Sequence, residues 1–182
     1  MQIKNGVVSN TEQIFSPNYD DRPTGTQIDL LVVHCISLPP KEWGTQWIEA
    51  LFQNRLNPNQ HPYFAEIYQL KVSAHLLIER SGLIKQFVNL ESRAWHAGQS
   101  IFDNKTACND FSIGIELNGF PTKPYTAAQY KSLSQLSRAI MEHYPGITPD
   151  RITGHEFIAP GRKPDPGPSF DWDRFHKELE VI

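Results

Sequence analysis

The sequence predicts an α/β fold: a single domain over residues 1–182, with a central mixed β-sheet flanked by α-helices. Apolar runs of strand length alternate along the chain with amphipathic segments of helical length. Two of the runs are separated by a short turn, which favours an antiparallel pair within the sheet. With 182 residues, 39% of them hydrophobic, the chain can bury one core, and it shows no internal repeat or linker.

Four segments have the pattern of longer strands. Residues 28–36 form a β-branched apolar run, as expected of a central strand buried on both faces. Segments 72–78 and 83–88 flank Arg80-Ser81-Gly82 and are predicted to form a hairpin. Residues 111–117 alternate in polarity. The alternation places Phe111, Ile113, Ile115 and Leu117 on one face and Ser112, Gly114 and Glu116 on the other.

Three helices are predicted between and after these strands. Residues 41–54 carry apolar side chains at helical spacing and follow Pro39-Pro40. Thr126 and Gln129 form a capping-box signature that begins a second helix, which ends before Pro145-Gly146. Asp171 can cap the last helix. The apolar positions of that helix are Trp172, Phe175 and Leu179.

Composition excludes some classes of function. The net charge is −3 and there is no basic run, which argues against a nucleic-acid partner. No segment approaches membrane-spanning length and the N-terminus lacks the apolar stretch of a signal peptide, so we expect a cytoplasmic protein without a membrane partner. Cys35 and Cys108 are expected to be free thiols, as is usual in a reducing compartment.

The segment from Gly154 to Pro168 holds a histidine, a lysine and an aspartate in a proline-rich loop. Its prolines restrict the backbone around Lys163 and Asp165, so both charged groups are presented with little conformational freedom. A functional site benefits from such stiffness. The alternative is a structural connector whose polar side chains are solvated.

Two histidines and a carboxylate are candidates for a metal site. His34 lies near the end of the first strand, His155 ends a short predicted strand over 151–155, and Asp165 lies in the stiff loop. Two histidines and one carboxylate are a common catalytic zinc set, with the fourth position left for water. The alternative is that each histidine is a hydrogen-bonded strand-end residue.

Glu116 is the candidate general base. A carboxylate on an apolar strand is costly to bury without a partner, and Gly114 and Ser112 keep its face clear. A general base in a cleft fits this pattern. The alternatives are a solvated sheet face or an ion pair with Arg162 or Lys163.

Six segments, spread in order over nearly the whole chain, carry a family resemblance. They are Leu-Val-Val-His ending at His34, Ser73-Ala74-His75, the segment 93–98 (RAWHAG), the segment 109–116 (NDFSIGIE), Thr153-Gly154-His155 and the segment 165–172 (DPGPSFDW). By these segments the chain resembles the 1,6-anhydro-N-acetylmuramyl-L-alanine amidases, the AmpD group of the type 2 amidase family. That family is similar in fold to peptidoglycan recognition proteins and to phage-type zinc amidases.

The resemblance implies a role for each candidate residue. His34, His155 and Asp165 match the family's zinc ligands, Glu116 its catalytic acidic residue and Lys163 its catalytic basic residue. The implied reaction is hydrolysis of the amide between the lactyl group of 1,6-anhydro-N-acetylmuramic acid and L-alanine in cytosolic muropeptides. This step belongs to peptidoglycan recycling and influences β-lactamase induction. The implied partner is this small molecule, and no protein partner is inferred.

The substrate side of the predicted site departs from the family in places. Trp95 and His96 are expected to line the cleft, because an aromatic ring beside a polar one suits a sugar. Tyr63 is expected to support the substrate. The family commonly has Asn, Arg and Arg where this chain has, respectively, Cys35, Lys71 and Ala107. All three positions concern substrate contacts, so Cys35 and Lys71 join the predicted substrate-binding set.

Two other functions share this fold. A peptidoglycan-binding module without catalysis would lack at least one metal ligand, whereas all three are present. A lytic or remodelling amidase acting on polymeric peptidoglycan would share the chemistry, and substrate assays separate it from a recycling enzyme. His75, in the middle of a predicted strand, is expected to be a core residue or to orient a metal ligand.

Overall fold

The structure, a computed structural model, describes residues 1–180. Its strands are β1 (Ile3–Lys4), β2 (Val7–Val8), β3 (Glu12–Gln13), β4 (Tyr19–Asp20), β5 (Leu30–Ile36), β6 (Leu76–Ile78), β7 (Ile84–Gln86), β8 (Arg93–Ala94), β9 (Ile101–Phe102), β10 (Lys105–Thr106), β11 (Ser112–Asn118) and β12 (Ile152–Gly154). Its α-helices are α1 (Gln46–Phe52), α2 (Pro62–Ile67), α3 (Ala127–His143), α4 (His155–Ile158) and α5 (Trp172–Glu180). Single 3₁₀ turns cover Cys108–Asp110 and Pro149–Arg151.

A six-stranded mixed sheet forms the centre of the fold, in the order β12-β5-β11-β6-β7-β3. Strands β12, β5, β11 and β6 are parallel to one another. Strand β7 is antiparallel to β6 and parallel to β3. The predicted α/β class and the predicted hairpin are therefore confirmed.

Both hairpin strands are shorter than predicted. Strand β6 begins at Leu76 rather than at residue 72, and β7 ends at Gln86. The backbone N–H of Ser73 donates to the carbonyl oxygen of Trp95, 3.2 Å away. At Ser73 the chain therefore bonds to the segment around Trp95 rather than to the chain after β7.

Successive side chains of the central strands point to opposite faces of the sheet, so they pack into separate hydrophobic clusters. On β5, Leu31 and Val33 pack with α3 and α5, while Leu30 and Val32 belong to a separate cluster on the other side. Strand β11 follows the same rule, because Ile113, Ile115 and Leu117 belong to the first cluster. The prediction for Phe111 is wrong: it packs in the second cluster. Phe111 lies before β11, with φ −124° and ψ 8°, so the alternation of the strand does not extend to it.

The structure contains both helices that were predicted in the C-terminal half of the chain, so these predictions are confirmed. Helix α3 begins at a capping box in which Thr126 Oγ1 accepts the N–H of Gln129 and the Gln129 side chain accepts the N–H of Thr126. Helix α5 follows Asp171, whose Oδ1 accepts the N–H of Arg174 at 2.9 Å. The two helices pack against each other and cover one face of the sheet.

The helical region before the hairpin differs from its prediction. Helix α1 begins at Gln46 rather than at residue 41, because Lys41 and Gly44 have positive φ values that interrupt a helix. Helix α2 was not predicted. It is only six residues long and begins at Pro62, with Nδ1 of His61 accepting the N–H of Tyr63. Both helices pack over the outer part of the sheet.

Two expectations from composition concern this fold directly. Cys35 and Cys108 are free thiols in the structure, as predicted. Within residues 1–180, no helix is both long enough and apolar enough to span a bilayer.

Candidate active site and metal centre

A cleft of about 500 Å³ lies at the carboxyl ends of the parallel strands β5 and β11. Open α/β sheets place ligand sites at such strand ends. The residues that line the cleft include nine of the ten predicted site residues: His34, Cys35, Tyr63, Trp95, His96, Glu116, His155, Lys163 and Asp165. The fold therefore brings together residues that are up to 131 positions apart in sequence.

The register of β5 and β11 places His34 beside Glu116. The two strands are parallel and pair Glu116 with His34, so their side chains leave the same face of the sheet. Leu30 and Val32, four and two residues before His34, lie on that face as well. The apolar pattern of β5 thus determines which way the histidine points.

His155 and Asp165 reach the same point from another direction. Strand β12 pairs with β5 and ends at Gly154, so His155 begins α4 at the edge of the cleft. A Cβ on Gly154 would lie 2.8 Å from Cδ of Pro166, so glycine allows the loop to pack closely there. The N–H of Glu156 donates to the carbonyl oxygen of Asp165 at 2.8 Å, which fixes the loop against α4.

Three ligand atoms converge in the floor of the cleft. Nδ1 of His34 lies 2.9 Å from Nδ1 of His155, and Oδ2 of Asp165 lies 3.1 Å from each of them. All three residues are buried. This set is compatible with a metal ion held by two imidazoles and one carboxylate.

The protonation states of these residues fit a metal site. Burial lowers the pKa of His34 to about 4, so its imidazole is neutral near pH 7. Nε2 of His155 lies 3.0 Å from the carbonyl oxygen of Ala97 and must donate to it, so Nδ1 is the ring nitrogen of His155 that is left to bind a metal. Burial alone would raise the pKa of Asp165, but its contacts with the two imidazoles outweigh burial and hold the pKa below its usual value.

Glu116 stands beside this cluster without a partner. Its side chain is buried, and among the described residues its Oε2 atom has no hydrogen-bond partner. Burial raises the pKa of Glu116 well above its usual value; the charge of Asp165 adds to the rise and the Lys163 ammonium opposes it. Arg162 does not pair with Glu116, because its guanidinium donates to the carbonyl oxygens of Ala97 and Gln99.

Lys163 lies in the loop between α4 and α5 and lines the cleft with an exposed side chain. The N–H of Lys163 donates to the carbonyl oxygen of Ala159 at 3.1 Å, which ties the loop to the end of α4. The ammonium is thus free to approach a bound molecule, while its backbone is held.

Most of the substrate-binding candidates line the cleft, whereas one of them does not. Trp95 and Tyr63 line the cleft, and the indole N–H of Trp95 donates to Oδ1 of Asp20 at 3.0 Å. Cys35 also lines it, and burial raises the pKa of its thiol, so the neutral form dominates near pH 7. Lys71 is exposed and does not line the cleft, although its neighbours Leu70 and Val72 do.

His96 lines the cleft, but its ring nitrogens are engaged by the protein. Nδ1 lies 2.9 Å from Nε2 of His34, and Nε2 lies 3.2 Å from Oγ of Ser112. Burial holds the pKa of His96 well below its usual value, so the ring is neutral. A sugar hydroxyl would have to displace one of these contacts to bond to His96, so the arrangement does not favour a hydrogen bond between His96 and a sugar.

His75 is a core residue. It is fully buried, its Nδ1 accepts the N–H of Gly114 at 3.0 Å, and its Nε2 donates to the carbonyl oxygen of Ser92 at 3.1 Å. Both ring nitrogens are therefore satisfied by backbone groups. The structure favours the core interpretation over direct support of a ligand.

Sequence analysis missed one residue that shapes the site. Oδ1 of Asn109 accepts the N–H groups of both His96 and Ala97, at 3.1 Å and 2.7 Å. Asn109 thereby fixes the loop that contacts both histidine ligands. The only local signal is a polar pair before a strand, which is common in turns and indicates no partner.

A cleft with these residues at the strand ends of a mixed sheet fits a hydrolase, and its three convergent side chains are compatible with a metal ion. Residues 24–168 match the family model described as N-acetylmuramoyl-L-alanine amidase, and the chain belongs to that family. Among its relatives is the 1,6-anhydro-N-acetylmuramyl-L-alanine amidase AmpD of Haemophilus influenzae. It is 54% identical over 173 residues, which are 95% of this chain and 94% of that protein.

Solved structures show the same relationship. The crystal structure of a selenomethionine derivative of AmpD matches with a TM-score of 0.95 at 51% identity, over 98% of this chain and 99% of that one. AmpDh3 from Pseudomonas aeruginosa, solved in complex with anhydromuramic pentapeptide, matches with a TM-score of 0.67 at 30% identity. That match covers 86% of this chain and 61% of the other.

Proposed function

We propose that the chain is a zinc-dependent amidase acting on cytosolic muropeptides. Its substrate is the amide bond between the lactyl group of 1,6-anhydro-N-acetylmuramic acid and the L-alanine of the stem peptide. The observation that carries this proposal is the convergence of three ligand atoms beside the unpartnered carboxylate of Glu116. Support for the substrate comes from the AmpD relatives, which match over nearly the whole chain.

His34, His155 and Asp165 are the proposed ligands of the zinc ion. Two imidazoles and one carboxylate suit zinc, and such a set leaves a position open for a reacting molecule. When bound, zinc supplies Lewis acidity that polarises the scissile carbonyl and makes water acidic enough to attack near neutral pH. The three side chains hold their ligand atoms together through the fold rather than through local sequence.

Glu116 is the proposed general base and acid. It takes a proton from the attacking water and delivers that proton to the nitrogen of L-alanine as the amide bond breaks. A raised pKa suits this exchange, because it makes the carboxylate a stronger base towards water than a carboxylate of ordinary acidity. With no hydrogen-bond partner among the described residues, Oε2 is free to contact the water.

Lys163 is the proposed electrostatic catalyst. As the lactyl carbonyl becomes tetrahedral, negative charge develops on its oxygen, and the ammonium of Lys163 stabilises that charge. This interaction is stronger in the transition state than in the ground state, so it raises kcat. The tethered loop backbone limits the conformational freedom that the side chain must lose.

The cleft walls are proposed to bind the sugar and the first residues of the stem peptide. Trp95 offers an indole face, oriented by Asp20, to the sugar ring. Tyr63 and Cys35 line the same cleft. Lys71 lies outside its wall and is proposed to meet a carboxylate further along the stem peptide, as a point charge without the bidentate geometry of arginine.

The proposed place of action is the cytoplasm, in peptidoglycan recycling. By removing the peptide from anhydro-muropeptides, the enzyme lowers the pool of these fragments and so influences β-lactamase induction.

Mass spectrometry of a digested anhydro-muramyl tripeptide tests the proposal. The expected products are the free anhydro sugar acid and the intact tripeptide, formed by the native chain and not by Glu116→Gln. Release of any other pair of fragments would assign the cleft a different reaction.

A further inference from the structure

His34 is the start of a series of hydrogen bonds that runs away from the cleft. Its Nε2 contacts Nδ1 of His96, whose Nε2 contacts Oγ of Ser112, which in turn lies 2.5 Å from the carbonyl oxygen of Cys108. Each contact could run in either direction if only nitrogen and hydroxyl groups were involved. The carbonyl at the end removes this freedom.

The direction of every bond follows from the last one. A carbonyl oxygen can only accept, so the hydroxyl proton of Ser112 is donated to Cys108. Ser112 Oγ is then an acceptor for His96, and Nε2 of His96 must carry the proton. In the neutral ring Nδ1 is consequently an acceptor, and Nε2 of His34 must donate to it.

The consequence for His34 is a defined tautomer. With its proton on Nε2, the neutral imidazole presents a bare lone pair on Nδ1. That atom is the one that lies 2.9 Å from Nδ1 of His155 and 3.1 Å from Oδ2 of Asp165. The series therefore selects the form of His34 that can bind a metal.

The second imidazole is oriented by the adjacent residue. Ala97 supplies the carbonyl oxygen that accepts Nε2–H of His155, and the same oxygen accepts a bond from Arg162. His96 and Ala97 are held together by Asn109, which accepts both of their N–H groups. One dipeptide thus contacts the far nitrogen of both histidine ligands.

Glycine at position 114 makes room for this arrangement. A Cβ on Gly114 would lie only 2.5 Å from Cγ of His96, closer than non-bonded carbon atoms approach. The space above Gly114, which the sequence predicts to be clear, is filled by the His96 ring. Strand β11 therefore contributes both Ser112 and the absence of a side chain at Gly114 to the position of this ring.

We propose that His96 and Ser112 are positioning residues: they fix the tautomer and orientation of His34 for metal binding and do not contact the substrate by hydrogen bonds. This inference rests on the proposed zinc site and adds to it the residues that prepare the first ligand. Outer partners of metal-bound histidines act in this way, and their loss commonly weakens metal affinity about 10- to 100-fold.

Four variants of the full chain separate positioning from packing. His96→Leu removes the acceptor for His34, whereas His96→Asn retains an oxygen at the position of Nδ1 and is the conservative rescue. Ser112→Ala removes the acceptor for His96. Ser137→Ala is the matched control, because Ser137 is a buried serine of α3 whose Oγ has no partner among the described residues.

Zinc affinity, measured by competition with a chromophoric chelator, is the first readout. We expect His96→Leu to weaken zinc binding about 10- to 100-fold and His96→Asn to restore it to within about threefold of the native value. Ser112→Ala is expected to weaken binding less than His96→Leu, and Ser137→Ala to leave it unchanged. Native zinc affinity in His96→Leu would overturn the proposal.

The tautomer of His34 is the second readout, and it requires no variant. Long-range proton–nitrogen NMR spectra of the native chain, recorded without zinc, should show the proton of His34 on Nε2. Absence of a proton from Nε2 would overturn the proposal even if every variant bound zinc weakly, since misfolding could cause that loss. If the native chain bound no zinc, the proposed cofactor would be wrong, and this spectrum alone would decide the role of His96.

Discussion

Nδ1 of His34 lies 2.9 Å from Nδ1 of His155, although each ring directs its other nitrogen at an acceptor in the protein. Two bare lone pairs at this distance repel each other, so a cation or a proton between them stabilises the arrangement. Asp165 places a carboxylate oxygen 3.1 Å from both. This arrangement is compatible with one metal ion bound to all three atoms.

The first prediction is that the purified chain binds about one zinc ion and that a chelator removes both metal and activity reversibly. His34→Ala, His155→Ala and Asp165→Ala should each lose zinc, because each removes one of three ligands. Elemental analysis by mass spectrometry gives the stoichiometry. His143→Ala, at an exposed histidine that ends α3, should bind zinc normally. Full activity in a preparation verified to be metal-free would contradict the prediction.

The second prediction separates catalytic residues from metal ligands. Glu116→Gln and Lys163→Ala should retain zinc and the fold but lower kcat by about 10²–10³, since each removes a proton-transfer or charge-stabilising group. Steady-state kinetics and zinc content are measured on the same preparations. Lys177→Ala, on α5, is the matched control for removal of a lysine. Loss of zinc from either active-site variant would place that residue among the ligands.

The third prediction uses the crowding of His96 by strand β11. Gly114→Ala should weaken zinc binding about tenfold or more, because the new methyl group displaces the His96 ring that orients His34. Gly146→Ala is the control for crowding, since its Cβ would meet Asp29 at 3.1 Å, away from the cleft. Calorimetric titration with zinc compares the two. Equal zinc affinities in both variants would show that the His96 ring tolerates displacement.

The fourth prediction concerns the support of helix α1. The ammonium of Lys85 contacts Glu49 of α1 at 2.5 Å and Glu79 of the hairpin at 2.6 Å. Burial alone would raise the pKa of Glu79, but its bonds to Lys85 and Thr45 outweigh burial and lower it. A group whose pKa is lower in the folded state than in the unfolded state stabilises the fold at pH values above its unfolded-state pKa. That stabilisation is lost as the pH falls through the folded-state pKa.

Glu79→Gln should therefore lower the free energy of unfolding at pH 7 and lower it less in acid, below the ordinary glutamate pKa of about 4.3. Urea unfolding at the two pH values measures the difference between the native chain and the variant. Glu42→Gln, at an exposed position, is the control. A difference that does not change with pH would exclude a contribution from ionised Glu79.

Much of the fold could be predicted because local signals agree with the tertiary structure. The β-branched run that contains β5, the alternation in β11 and the capping box of α3 are all local patterns, and the structure contains each element. The bounds of α1 and the existence of α2 could not be predicted. Short helices depend on packing and on single residues such as Gly44, whose positive φ has no periodic signal.

Some features of the candidate site could also be predicted from the sequence, and others could not. His34 and Glu116 lie on strands whose alternation indicates the face, so their convergence follows from pairing β5 with β11. The contacts of His96 and Asn109 could not be predicted, because they join separate segments of the chain through individual side-chain hydrogen bonds. The small size of Gly114 is evident in the sequence, but the sequence does not show that a histidine ring fills the space above it.

The most direct test of the central claim compares kcat/KM for a 1,6-anhydro-N-acetylmuramyl tripeptide with that for its reducing-end counterpart. A recycling enzyme must spare newly made precursors, and such discrimination is a difference in transition-state binding energy. We predict a preference of at least about tenfold for the anhydro substrate, equivalent to roughly 1.4 kcal/mol. Equal values of kcat/KM, or faster cleavage of intact peptidoglycan, would contradict the account and indicate a lytic or remodelling amidase.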